Sequence, residues 1–257
     1  MFPADPAVVL AVAVLLGLAA GSFLNVLILR TRQAASPWRG RSKCMSCGHA
    51  LSWHELLPLA SFLWLRGKCR HCRAALSWQY PLVEAGTAIV FGLVAWRFGL
   101  TWLTVWGWVA ASAMMAVAVY DARWSLLPDS FSIALAVAGA GFAAASRLPL
   151  ADIGLGLAAG VAFFGAQYVL SRGRWVGSGD VLLGGALGLL LGWRMLGLSL
   201  LLAYLVGAVV ASILLLMRRQ KAQGAIAFGP YLVAGAFTAW LWGPGIVDWY
   251  FNHALFR

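Results

Sequence analysis

Runs of roughly 16 to 23 apolar residues alternate along this chain with short polar stretches, and a helix needs about 20 residues to cross the hydrocarbon core of a bilayer. The pattern predicts membrane-spanning helices near residues 7–29, 82–99, 102–120, 130–147, 150–171, 180–193, 195–217 and 228–245, the sixth of them short. The expected fold is therefore an all-α polytopic membrane protein of about eight transmembrane helices. One sizeable polar insertion, residues 30–80, separates the first helix from the second. Three regions follow: a first transmembrane helix (1–29), the insertion (30–80) and a multi-helix membrane core (81–257). The residues Phe2-Pro3-Ala4-Asp5 carry no basic run, and no small-residue cleavage site follows the first span, so 7–29 reads as a retained helix.

Charge adds an orientation. If successive loops face opposite sides, residues 30–80, 121–129, 172–179 and 218–227 share one side and hold fifteen of the nineteen basic residues. Only Arg97, Arg147, Arg194 and Arg257 fall on the other. Basic loops stay cytoplasmic, so the insertion is expected on that side of the membrane. The net charge of +11 is then accounted for by loops beside anionic lipid, and no nucleic-acid partner is required.

All four cysteines lie in the insertion, as Cys44-Met45-Ser46-Cys47 and Cys69-Arg70-His71-Cys72, with 21 residues between the pairs. A Cys-x-x-Cys turn brings two sulfurs to one metal, and two such turns complete a tetrahedral zinc site. About 50 residues bury too little apolar surface to fold unaided, so a structural Zn2+ would supply folding energy. The competing reading is two disulfides, which a reducing cytoplasm disfavours. His49, His54 and His71 read as surface residues, since four thiolates already close the site.

Only eight residues are acidic in a chain that is 62% hydrophobic, and carboxylates at the ends of apolar helices are costly unless they are paired, hydrated or neutral. Asp121 and Asp180 each stand where an apolar run meets one of the basic-side loops. Asp180 ends Gly177-Ser178-Gly179-Asp180, where Gly177 and Gly179 let a substrate backbone come close. Two carboxylates hydrolyse a peptide when one takes a proton from water and the other protonates the carbonyl oxygen. Neighbouring carboxylates do not readily both stay ionised, so the pair holds one shared proton and titrates as a unit. Asp129, in Leu127-Pro128-Asp129-Ser130, reads as a helix start and as the alternative partner for Asp180. Asp121 has the plainer option of pairing with Arg123, and Asp180 that of capping a helix. Glu84, a turn into the second span, faces the site or binds an arginine. Asp5, Asp152 and Asp248 fall on the opposite side.

The ordered set of local motifs resembles one family. It comprises Gly21-Ser22-Phe23-Leu24-Asn25-Val26, Leu56-Leu57-Pro58-Leu59, Gly67-Lys68-Cys69, Ser77-Trp78-Gln79-Tyr80-Pro81-Leu82-Val83-Glu84, Asp121, Leu127-Pro128-Asp129, Gly177 to Asp180 and Phe228-Gly229-Pro230-Tyr231. From about residue 17 to 235 this is similar to the type IV prepilin peptidases, members of the wider Gly-x-Gly-Asp intramembrane proteases. The resemblance implies an aspartyl endopeptidase that cuts leaders from type IV prepilins or type II secretion pseudopilins on the cytoplasmic side. It also implies N-methylation of the new N-terminus with S-adenosylmethionine. Carried over by position, the catalytic pair is Asp121 and Asp180, and Gly67-Lys68 is associated with methyl transfer. Taken as residues alone, Gly67-Lys68 is a basic turn before a cysteine pair. Met45 and Ala227 stand where the family often has proline, and neither touches a carboxylate or a cysteine. Two other classes compete: a transporter or proton relay using the same aspartates, and a scaffold that recruits partners through the metal module.

Overall fold

A computed structural model describes residues 5–217 and 227–254. Among them the protein is helical, with two isolated bridges and no strand. Arg218, Arg219 and Lys221 of the last expected basic loop, together with Arg257 and residues 2–4, lie outside the described residues. The chain divides into two compact units at Leu100/Thr101, which groups the second long helix with the first and with the insertion.

The first unit holds α1 (Pro6–Arg32), a 3-10 turn at Trp53–Leu56, α2 (Ala60–Trp64) and α3 (Gln79–Phe98). Pro6 opens α1 behind Asp5, whose carboxylate accepts from the Ala7 amide at 2.8 Å. The helices α1 and α3 touch through small residues: a Cβ on Gly17 would lie 2.6 Å from the Ala88 Cα. Toward the C-terminal end of α1 in the same seam, Asn25, 2% exposed, donates to the carbonyls of Gly21 and Tyr80 and accepts from Gln79. A buried amide is costly unless its polar atoms are satisfied, and here both are. The Arg30 guanidinium gathers the carbonyls of Ser36, Pro37, Arg39, Gly40 and Arg41, and so shapes the start of the insertion.

The second unit holds α4 (Trp102–Trp124), α5 (Asp129–Ser146), α6 (Leu150–Ser171), α7 (Ser178–Leu216) and α8 (Gly229–Trp249). Left-handed residues at Ser125, Arg147 and Arg172 end α4, α5 and α6, and prolines 128 and 149 precede the next helices. Six helices, α1 and α3 to α7, are long and apolar enough to cross a membrane, against the eight spans expected. The difference has two sources. The expected spans 180–193 and 195–217 are joined in α7, and α8 is not among the six.

The helix α7 is interrupted at Gly192, whose φ of 69° and ψ of 170° belong to a region open essentially to glycine alone. The interruption reverses the chain. Asp180 and Tyr204, 24 positions apart, line one cavity, whereas an unbroken helix would hold them about 36 Å apart. The indole N–H of Trp193 donates to Asp152 at the start of α6 (3.1 Å) and pins the reversal there. Between α6 and the first half of α7 runs a glycine seam. A Cβ on Gly160 would come within 3.1 Å of backbone atoms of Gly184 and Gly185, and one on Gly156 would meet Gly188 and Gly192.

Candidate active site and metal centre

The C-terminal turn of α4 carries Asp121, 6% exposed. Its Oδ2 accepts the Gly229 amide at 2.6 Å. Gly229 and Pro230 are the first residues of α8, and the first amides of a helix have no partner within it. Asp121 therefore sits on the positive end of another helix. A Cβ on Gly229 would fall 2.7 Å from Asp121 Oδ2, so the approach needs glycine. Asp180 repeats the arrangement on its own helix. It is the third residue of α7, and its Oδ2 accepts the Gly177 amide at 2.8 Å. Among the described residues no other hydrogen bond holds either carboxylate, which leaves Oδ1 of each for water or substrate.

The two aspartates line one cavity of ≈ 550 Å³ and are near enough for their charges to interact. The glycines of the tetrapeptide differ in surroundings. Gly179 packs on Leu127, where a Cβ would stand 3.0 Å from its Cβ and carbonyl oxygen, while Gly177 is open on the cavity. Asp129 is the exposed first residue of α5 and does not line the cavity. Glu84 is buried in α3 and accepts the Leu59 amide at 2.8 Å, a loop partner rather than an arginine.

Two residues that the sequence reading passed over also line the cavity. Tyr204 donates its hydroxyl to Gln167 Oε1 at 3.1 Å, and Gln167 Nε2 donates to the Phe163 carbonyl. The available signal was the single side-chain amide of α6 and the single tyrosine of α7, both inside apolar helices. The cavity can thus present two carboxylates, a phenol, an amide and open backbone to an extended chain.

In the insertion the four cysteine sulfurs lie within 4.8 Å of one another, and Cys44 and Cys72 are 3.8 Å apart. A tetrahedral metal with bonds of about 2.3 Å requires sulfurs about 3.8 Å apart, so the cluster can bind a metal ion. The two turns match at an offset of 25 residues. Cys44 N–H donates to His49 O and Cys69 N–H to Ala74 O; Gly48 N–H donates to Cys44 O and Arg73 N–H to Cys69 O. Backbone amides of Cys47 and then Ser46 directed at the sulfur pull the Cys44 thiol down to about 6, which favours the thiolate a metal needs. His49 and His71 are exposed and stack on each other at 4.9 Å. Gly67 and Lys68 form the turn into the second pair, with the Gly67 amide donating to Phe62 O and its carbonyl accepting from Leu76.

Residues 15–98 match the Bacterial Peptidase A24 N-terminal domain, and residues 108–212 match the Type IV leader peptidase family. A prepilin leader peptidase/N-methyltransferase of Pseudomonas aeruginosa is 33% identical over 286 residues, covering 95% of this chain and 94% of that protein. Proteins of the same description from Aeromonas hydrophila and Xanthomonas campestris are 34% and 32% identical, each covering 94% of this chain and respectively 93% and 94% of their own length. The chain belongs to the type IV leader peptidase family. No solved structure matches it. The family's peptidase region includes Asp121 and Asp180, and the N-terminal domain match includes all four cysteines. As a member with several apolar helices, this is a multi-pass inner membrane protein and an enzyme.

Proposed function

We propose that this protein is a membrane aspartyl endopeptidase that removes the leader peptide from type IV prepilins or type II secretion pseudopilins at the cytoplasmic face. It then N-methylates the exposed amine with S-adenosylmethionine as donor. The observation that carries the protease reading is the convergence of Asp121 and Asp180 on one cavity, each fixed through Oδ2 by a helix-opening amide. Rigid carboxylates leave one oxygen apiece to act on a water held between them. One carboxylate takes a proton from water as its oxygen bonds to the scissile carbonyl carbon. The carboxylic acid partner protonates the carbonyl oxygen, and collapse of the tetrahedral species breaks the C–N bond with a proton delivered to the amine. Gln167 and Tyr204 offer polar contacts for the substrate backbone.

The comparisons lend support through their relatives' names, which join leader peptidase and N-methyltransferase activities, and they lend none to the transporter or proton-relay alternative. For the cysteine cluster we favour structural Zn2+, bound by Cys44, Cys47, Cys69 and Cys72; four thiolates leave no open position for chemistry. The test is mass spectrometry of a prepilin incubated with purified protein and S-adenosylmethionine. A leader-sized loss in the parent that is absent from Asp180→Asn supports the protease, and a further single methyl mass supports the transferase. Unchanged cleavage in both Asp180→Asn and Asp121→Asn would end the carboxylate mechanism.

A further inference from the structure

A second cavity, of ≈ 530 Å³, lies wholly within the first unit, between the 3-10 turn Trp53–Leu56, α2 and the second cysteine turn. Its size is ordinary for a small-molecule site. Two indoles on its walls, Trp53 and Trp64, are 77% and 79% exposed, which leaves large flat aromatic faces uncovered. Its charged groups are held in place. Arg70 Nη1 is 2.8 Å from His54 Nε2. Glu55 closes the 3-10 turn by accepting the Ser52 amide at 2.8 Å, and that amide first of all holds its carboxyl below the usual carboxylate range.

The wall beside Leu57 is strained. Leu59 has φ 57° and ψ −48°, and the Ala60 amide donates to Pro58 O across it at 2.6 Å. This is the rare γ-turn of positive φ. Glu84 of α3 holds it by accepting the Leu59 amide. Such strain persists where surrounding structure imposes it, and it clusters at ligand sites.

We propose that this cavity is the site for S-adenosylmethionine, an inference that rests on the methyl-transfer reading above. The residues fit the molecule by chemistry. Indole faces suit an adenine ring and a sulfonium cation. Arg70 pairs with the α-carboxylate, and Glu55 is the counter-charge for the α-ammonium. A zwitterionic amino-acid end needs both signs in one cavity, and an apolar patch covered by lipid needs neither. The Gly67-Lys68 pair then acts at one remove. Neither residue lines the cavity, but Gly67 has φ +67°, and a Cβ on it would press the Phe62 ring at 3.1 Å. Gly67 thereby seats α2, which supplies Ser61 and Trp64 to the wall, with Leu65 directly after it.

The test is calorimetric titration of the full-length protein in detergent with S-adenosylmethionine and with S-adenosylhomocysteine. Arg70→Ala and Trp64→Ala are each expected to weaken binding at least tenfold while eluting as the folded parent does, with Arg70→Lys intermediate. Should a variant misfold, ultraviolet labelling of the parent with radioactive S-adenosylmethionine decides the matter: label within residues 53–70 supports the site, and label elsewhere overturns it. Parent-like binding by both alanine variants overturns the cavity while leaving methyl transfer intact. A parent that neither binds the donor nor adds a methyl to processed prepilin removes the methyl-transfer reading and this site with it.

Discussion

In the first unit polar groups hold irregular backbone in place: Arg30 gathers five carbonyls, Glu84 fixes the Leu59 turn, and four sulfurs converge on one point. The second unit does the reverse. Its backbone is positioned largely by small residues packed at contact distance, as along Gly156, Gly160, Gly184 and Gly188, and Asp121 and Asp180 are turned to the cavity. The contrast follows from what surrounds each. A short polar insertion has little apolar surface to bury and depends on specific bonds. Helices in an apolar medium gain nothing from burying more apolar surface, so close van der Waals packing orders them instead.

Metal removal should separate the two most widely. A structural zinc supplies roughly 10–16 kcal/mol of apparent folding energy at neutral pH. Chelation, or Cys44→Ser with Cys69→Ser, is expected to open residues 33–78 to limited proteolysis while a fragment beginning near Thr101 persists. Metal analysis showing none in the purified protein, or an unchanged cleavage pattern after chelation, would dissolve the contrast. Asp121→Asn and Asp180→Asn strike the other unit and leave packing alone. Each should lower leader cleavage by about 10²–10⁴, the usual worth of a positioned acid or base, with metal content unchanged.

How much of this was legible in the chain divides along the same line. The cysteine spacing is local, and the matched turns follow from it directly. The aspartates were legible because carboxylates stand out in apolar sequence, and the boundary expected at 193–195 lies beside the observed break at Gly192. What the break does was not legible. Tyr204 meets Gln167 and the Asp180 cavity only because the chain doubles back, and hydropathy records length but not direction. Glu84 shows the same limit, since its partner is a loop amide 25 residues away that no periodicity encodes.

Gly192→Ala tests the reversal itself. A side chain is excluded from that φ and ψ by its own backbone, at a cost of about 1–3 kcal/mol, although the space beside it is open, with the nearest atom 3.7 Å away. The variant should unfold at lower temperature and lose cleavage more than stability alone explains, because Tyr204 and Gln167 part from the aspartates. A loss of stability with full cleavage would show that the cavity does not need the second half of α7.

The smallest effect concerns the two cysteine turns, whose backbone hydrogen bonds match although glycine stands in one where arginine stands in the other. Gly48 has φ +73°, and its counterpart Arg73 has φ +61°. A non-glycine residue in this left-handed region costs roughly 1–2 kcal/mol, and glycine's larger unfolded-state entropy returns part of that. Arg73→Gly should therefore stabilise the metal-loaded insertion by up to about 1 kcal/mol, visible as slower metal loss to a chelator. Arg73→Lys keeps the charge and the strain and should match the parent. If the lysine variant instead loses metal faster than the parent, the guanidinium itself is holding the second turn. The first unit would then rely on a side-chain bond at the place where its own copy manages with glycine alone.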